Sequence, residues 1–129
     1  MSQTINVYYM TINTTGSAGN ATGSATTNVR GGISGFLYSV VVKPNTSGWA
    51  STTDITFTEA EAPGRALLTL TNKNSALASY PVRIAETGTD GAALSTYAPF
   101  ALAGSQITVS LAQANAQTPA LEVWFYVLR

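Results

Sequence analysis

Apolar residues along this chain recur at every second position far more regularly than at a helical spacing. The clearest case is SQITVSLA, in which Ile107, Val109 and Leu111 alternate with Thr108, Ser110 and Ala112, the pattern of a strand with one face buried. Similar runs are TINVYYMTI (4–12), GFLYSVVVK (35–43), TDITFTEAE (53–61), RALLTLTN (65–72), YPVRIAE (80–86) and LEVWFYVL (121–128). Turn formers separate them: KPNTSG (43–48), APG (62–64), NKNS (72–75), GTDG (88–91), AG (103–104) and NAQTP (115–119). Seven or eight short strands spaced in this way, with no helix longer than two turns, predict an all-β fold, an antiparallel β-sandwich of the jelly-roll kind.

Two segments are less decided. TTGSAGNATGSATTN (14–28) reads equally as a flexible linker and as a weakly apolar edge strand from about Ser24 to Val29, since its threonines suit a strand and its glycines cost entropy there. In QANAQTP (113–119), Ala and Gln favour a helical turn that Pro119 would end.

The last strand departs from simple alternation. Leu121, Val123, Phe125 and Val127 share one face, and Glu122, Trp124, Tyr126 and Leu128 the other. A core needs only the first set. The second set calls for another layer, supplied either by this chain or by a different one, and Trp124 and Tyr126 are therefore the candidate residues for a contact between protein chains.

Composition narrows the partners. The 129 residues suffice for one hydrophobic core, and the whole of 1–129 reads as a single β-sandwich domain. Only 9% of residues are charged, against about 25% in an ordinary soluble domain, and Thr, Ser and Asn supply the polarity. Six basic and six acidic side chains cancel, so no net field draws the chain to nucleic acid or to an anionic membrane. Weak colloidal repulsion instead favours association. There is no Cys to report a redox compartment. No basic start with an apolar run marks a signal peptide, and no stretch has the length of a membrane span, so synthesis in a cytoplasm is expected. The sequons at Asn13, Asn20 and Asn45 are then chance products of a Thr-rich sequence.

Little chemistry is on offer. Without His or Cys, the usual hydrolase triads, thiol nucleophiles and His or thiolate metal sites drop out. Glu59 and Glu61, two apart on one strand face after Ile55 and Phe57, have the spacing of a carboxylate pair, but their place before Pro63-Gly64 reads as a solvated strand end that discourages edge pairing. Thr87-Gly88-Thr89-Asp90-Gly91 holds one carboxylate, too few for a calcium loop, and reads as a turn. Gly31-Gly32-Ile33-Ser34-Gly35 has the glycine density of a phosphate cradle without its lysine or helix, and is better explained by a bulge or close backbone packing. Trp49, Tyr80, Tyr97, Trp124 and Tyr126 are the residues that would stack on sugars, although aromatics in a β-rich chain more often form core or interface. No catalytic residue, cofactor or metal site is expected.

From about Val29 onward, the glycine-rich entry GGISGF, TDITFTE, LLTLTN, YPVR, FALAGSQITVSLAQA and the closing aromatic strand together resemble a family of small virion proteins of tailed bacteriophages. The resemblance implies a capsid cement or decoration protein, bound outside the shell of major capsid protein, self-associating as a homotrimer and located on the virion surface. The alternative is a tail or fibre domain that binds a host-surface glycan.

Overall fold

The computed structural model describes residues 4–61, 64–73, 78–87 and 89–129. Ten strands are present among them: β1 (Ile5–Ile12), β2 (Ala21–Thr26), β3 (Ile33–Pro44), β4 (Thr53–Glu59), β5 (Ala66–Lys73), β6 (Ala78–Pro81), β7 (Arg83–Thr87), β8 (Ala93–Ser105), β9 (Ile107–Ala114) and β10 (Leu121–Leu128). No described residue is helical. The turns expected over 62–64, 72–75 and 88–91 lie partly outside the described residues.

The strands form two antiparallel sheets. One has the order β1-β10-β3-β8-β7, with β6 pairing the second half of β3, and the other the order β2-β9-β4-β5. Setting aside the short β6 and β7, the chain changes sheet at every connection except the β4–β5 hairpin. Eight strands wound in this way make a jelly roll. The excess over the seven or eight strands predicted comes from YPVRIAE, which contributes to both β6 and β7, and from β8, which no predicted run covers.

Alternation builds the core. β4 and β10 bury every second residue along their whole length, so that Ile55 and Phe57 meet Val123, Phe125 and Val127 between the sheets. The rings of Phe57 and Phe125 pack edge-on, with centroids 6.2 Å apart and planes at 83°, the arrangement favoured by the aromatic quadrupole. Trp49, in the connection from β3 to β4, is buried against this core and donates its indole N–H to the Ala120 carbonyl at 2.7 Å.

Of the two readings open for 14–28, the strand forms: β2 occupies Ala21–Thr26, pairs with β9, and is bridged on its other side by Thr15 to Thr22. The helical turn expected in 113–119 does not form. β9 continues to Ala114, and the following residues are held by Thr14, whose hydroxyl donates to the Asn115 carbonyl at 2.6 Å and accepts from the Gln117 amide at 3.0 Å. Those tertiary bonds satisfy main-chain groups that a helical turn would have paired internally. YPVRIAE is two strands rather than one, broken at the buried Val82, where β6 leaves β3 and β7 joins β8.

The glycine segment before β3 is a close backbone crossing. Gly32 has φ +78°, and a Cβ placed there would run into the Gly104 carbonyl. β3 and β8 shift register between Ile33 and Ser34 at this point. The residues serve packing and a bulge, as the sequence implies.

Candidate interaction face

The outer face of the first sheet is built from cross-strand rows. β1 and β10 pair without a register shift, which sets Ile5 beside Leu128, Val7 beside Tyr126, Tyr9 beside Trp124 and Thr11 beside Glu122. β3 extends the same rows: Val41 lies beside Trp124, Ser39 beside Tyr126, Lys43 beside Glu122 and, beyond a bulge, Phe36 beside Leu128. β8 continues from Phe36 to Ala101. Odd-numbered β1 residues occupy the positions whose side chains lie closest across the ladder, and the Tyr9 and Trp124 rings accordingly approach to 5.2 Å between centroids.

No described element of this chain packs over these rows. Ile5, Val7 and Tyr9 remain 55%, 50% and 54% exposed, and Phe36, Tyr38 and Tyr97 are exposed on the same sheet. Trp124 and Tyr126 are half-buried between their row neighbours on β1 and β3. Three strands about 4.8 Å apart and three rows about 7 Å apart, with one further position on β8, give a largely apolar patch of roughly 300 Å², within the range of the largest patches that soluble monomers usually expose.

One edge of the patch is polar. Glu122 accepts a hydrogen bond from the Tyr9 hydroxyl at 2.7 Å and lies 3.7 Å from Lys43 Nζ. The bond to Glu122 holds the Tyr9 phenol above its usual pKa range. The acid and the base compensate one another, so the patch presents no net charge. Next to them, Lys43, Pro44, Asn45, Thr46, Thr118, Pro119, Leu121 and Glu122 line a hollow of about 350 Å³. Asn45 is committed within it, donating to the Pro119 carbonyl at 2.7 Å and accepting from the Ser47 amide at 2.8 Å.

The outer face of the second sheet has a different character. Ser24, Ser110, Thr56 and Thr69 align in one row, and Thr26, Thr108 and Thr58 in the next. Thr26 and Thr108 share a hydroxyl hydrogen bond of 2.8 Å. Both outer faces are poor in charge, but only the first is apolar.

The carboxylates expected at a solvated strand end are separated. Glu61 is exposed and accepts from the Gln106 amide at 2.9 Å. Glu59 is 6% exposed, which overturns its reading as a solvated residue. Its carboxylate takes both arms of the Arg65 guanidinium, with Nη2 2.8 Å from Oε2. The bond from Arg65 holds the Glu59 carboxyl below the usual range against the opposing effect of burial. Arg65 also lies 4.3 Å over the Phe100 ring and donates to the Ala101 carbonyl at 3.0 Å, so the pair ties β4 to β8 of the other sheet. Sequence spacing missed this because the signal was the basic residue six positions on, across a turn.

Of the aromatic residues considered for sugar stacking, Trp49 belongs to the core, Tyr80 packs against it, and Tyr97, Trp124 and Tyr126 lie on the first sheet. Asp90 accepts from the Ala92 amide at 3.0 Å, as a turn residue does. Among the described residues no group of three or more acidic side chains converges on a metal site.

No protein-family profile matches the chain, and no curated protein matches it in sequence. Among solved structures it is similar to a chain of the extra small virus particle of the giant freshwater prawn Macrobrachium rosenbergii, at 8% identity over 99% of this chain and 79% of that one, with a TM-score of 0.37. A family 32 carbohydrate-binding module from C. perfringens NanJ, in complex with galactose, matches at 9% identity over 95% of this chain and 93% of that one, with a TM-score of 0.37. Infectious bursal disease virus, Gt strain, matches at 13% identity and a TM-score of 0.33, over 96% of this chain and 32% of the viral one. These neighbours are β-sandwiches. At such scores they add nothing to the strand order, on which the jelly-roll assignment rests.

Proposed function

We propose that the protein is a structural component of a bacteriophage particle, bound to the outside of the capsid as a cement or decoration protein. The observation that carries this reading is the uncovered apolar face of the first sheet, centred on Trp124 and Tyr126. A face of this kind is stabilised by covering it, and its lack of net charge suits a wide apolar contact better than an ionic one. The resemblance of the sequence to small phage virion proteins supports the same reading. The partner is then the major capsid protein, the mechanism is burial of apolar area across neighbouring subunits, and no catalysis, cofactor, nucleic acid or membrane is involved.

Because Trp124 and Tyr126 are already half-buried, the area left to each is less than the ~150–250 Å² of a whole aromatic side chain. At about 25 cal/mol per Å² the pair still contributes a few kcal/mol per copy, repeated over a shell. The test is a particle-binding assay with the Trp124→Ser/Tyr126→Ser variant. Loss of capsid attachment by a variant that keeps its fold is the expected result, and undiminished attachment would refute the reading.

A second reading, glycan binding by a tail or fibre domain, is favoured by the hollow at Lys43, Thr46, Thr118 and Glu122 beside the Tyr9–Trp124 pair. Binding of the purified chain to immobilised glycans, abolished by Glu122→Gln, would establish it in place of the first.

A further inference from the structure

Four strands stand at the ends of the two sheets, β1, β7, β2 and β5, and β6, which pairs β3 alone, is a further edge kept short at four residues and ended by Pro81. An open strand edge is a template for another chain, and proteins guard such edges with charge, Pro, bulges, short length or a covering segment. Three of the four are guarded. β7 has only five residues and includes Arg83 and Glu86. β5 follows Arg65, ends in Lys73 and pairs with β4 through two register shifts. β2 is bridged on its outer side by Thr15, and a Cβ at Gly23 would run into the Asn13 carbonyl. The fourth, β1, is INVYYMTI: eight residues with no charge, no Gly, no Pro and no register shift against β10.

Which main-chain groups β1 leaves open follows from the ladder. Thr4 and Arg129 exchange hydrogen bonds of 3.1 and 2.9 Å. By antiparallel alternation the even-numbered residues then bond to β10, and the N–H and C=O groups of Ile5, Val7, Tyr9 and Thr11 point to the free edge. Among the described residues no main-chain bond outside the β1–β10 ladder reaches these four. Three of them also carry the most exposed apolar side chains of the strand, Ile5, Val7 and Tyr9.

We infer that β1 is the seat of a two-fold contact between two copies of this chain, its edge pairing antiparallel with the same edge of the second copy. The occupant follows from complementarity. Centred on Tyr8, the pairing sets Ile5 opposite the second copy's Thr11, and Val7 opposite its Tyr9. All four open residues are thereby used on each side, giving about eight main-chain hydrogen bonds in four pairs. The Val7–Tyr9 pairs are of the β-branched and aromatic kind that stabilises cross-strand contacts. No like charges meet, because the strand has none. The first sheet becomes continuous across the two copies, and the two apolar faces merge into one of about twice the area. A two-fold contact of this kind closes on itself and gives pairs, in contrast to the trimer that the sequence resemblance implies. It is a property of the chain alone and does not rest on the capsid reading.

The test is sedimentation equilibrium of the purified full chain, with circular dichroism as the control for folding. The wild-type chain is expected at twice its 13.4 kDa mass at micromolar concentrations and above. Val7→Pro removes one open-edge N–H and leaves the β10 ladder intact, since Val7 does not bond to β10. It is expected to keep its thermal midpoint to within a few degrees and to sediment as a single chain. A second set of variants leaves the backbone unchanged: Val7→Lys/Tyr9→Lys and Val7→Glu/Tyr9→Glu should each be single chains, and an equimolar mixture should recover the pair. A wild-type chain that stays single at high concentration, one that sediments as a trimer, or a Val7→Pro variant that still pairs would overturn the inference. A mixture that fails to recover the pair would overturn the Tyr8-centred register.

Discussion

Glu59 and Glu61 stand two residues apart and differ in everything that matters to stability. Glu59 is enclosed and held by Arg65, whereas Glu61 faces solvent with one amide donor. Glu59→Gln removes a charge-assisted pair from a buried site and is expected to cost about 1–3 kcal/mol of folding stability, whereas Glu61→Gln should stay within about 0.5 kcal/mol. Chemical denaturation of the two variants checks both. The pH dependence has a definite sign. The folded Glu59 carboxyl titrates below its unfolded value of about 4.3, so its contribution is complete above that value and is lost as pH falls through the folded pKa. The stability gap between wild type and Glu59→Gln should therefore be constant near neutrality and narrow in acid below about pH 4. A gap that widened in acid would contradict the assignment. Gly31 and Gly32 make a second contrast, since both have φ +78° but only Gly32 faces a backbone, that of Gly104. Gly31→Ala should cost about 1–2 kcal/mol for its conformation alone, and Gly32→Ala clearly more, as thermal denaturation would show.

At the scale of the element, β10 divides its eight residues between two tasks. Phe125 is wholly buried and packs on Phe57, so Phe125→Ala is expected to destabilise the fold by about 3–5 kcal/mol. Trp124 and Tyr126 lie on the opposite face, beside residues of β1 and β3. Trp124→Ser/Tyr126→Ser should lower the thermal midpoint far less than Phe125→Ala, while removing attachment to the particle. Calorimetry of the two variants side by side separates core from contact face. β8 shows the limit of reading elements one at a time. ALSTYAPFALAGS lacks the β-branched run of a strong strand and contains Pro99, and the turn expected at 103–104 does not form, because those residues lie inside the strand, where it pairs with β3. It is a strand because β7 pairs its first half and β3 its second. Pro99, without an N–H, falls where pairing passes from one partner to the other, with β3 contacts beginning at Phe100.

For the whole molecule, the jelly roll brings the ends of the chain into register, with β1 pairing β10 at the edge of one sheet. Such a fold depends on pairings distant in sequence, and closing those loops precedes the contacts that stabilise them. Folding in the millisecond-to-second range is therefore expected, and stopped-flow fluorescence of Trp49, buried in the core, would measure it. Refolding within microseconds would not be compatible with this topology.

The sequence by itself determined that the protein is all β, which residues of β4, β9 and β10 face inward, and that Trp124 and Tyr126 face away from the core. The reason is that strand alternation is a local property, set by side-chain direction and legible wherever one face is buried. It also marked the glycines at the start of β3 as a place of close packing. What only the tertiary structure decided is whatever depends on a partner remote in the chain. The burial of Glu59 needed Arg65 to return across a turn and Phe100 to arrive from the other sheet. The non-helical course of 115–117 needed Thr14. The openness of the Trp124 face and of the β1 edge depended on where every other strand was placed, because exposure is a property of the packed arrangement and no single segment encodes it.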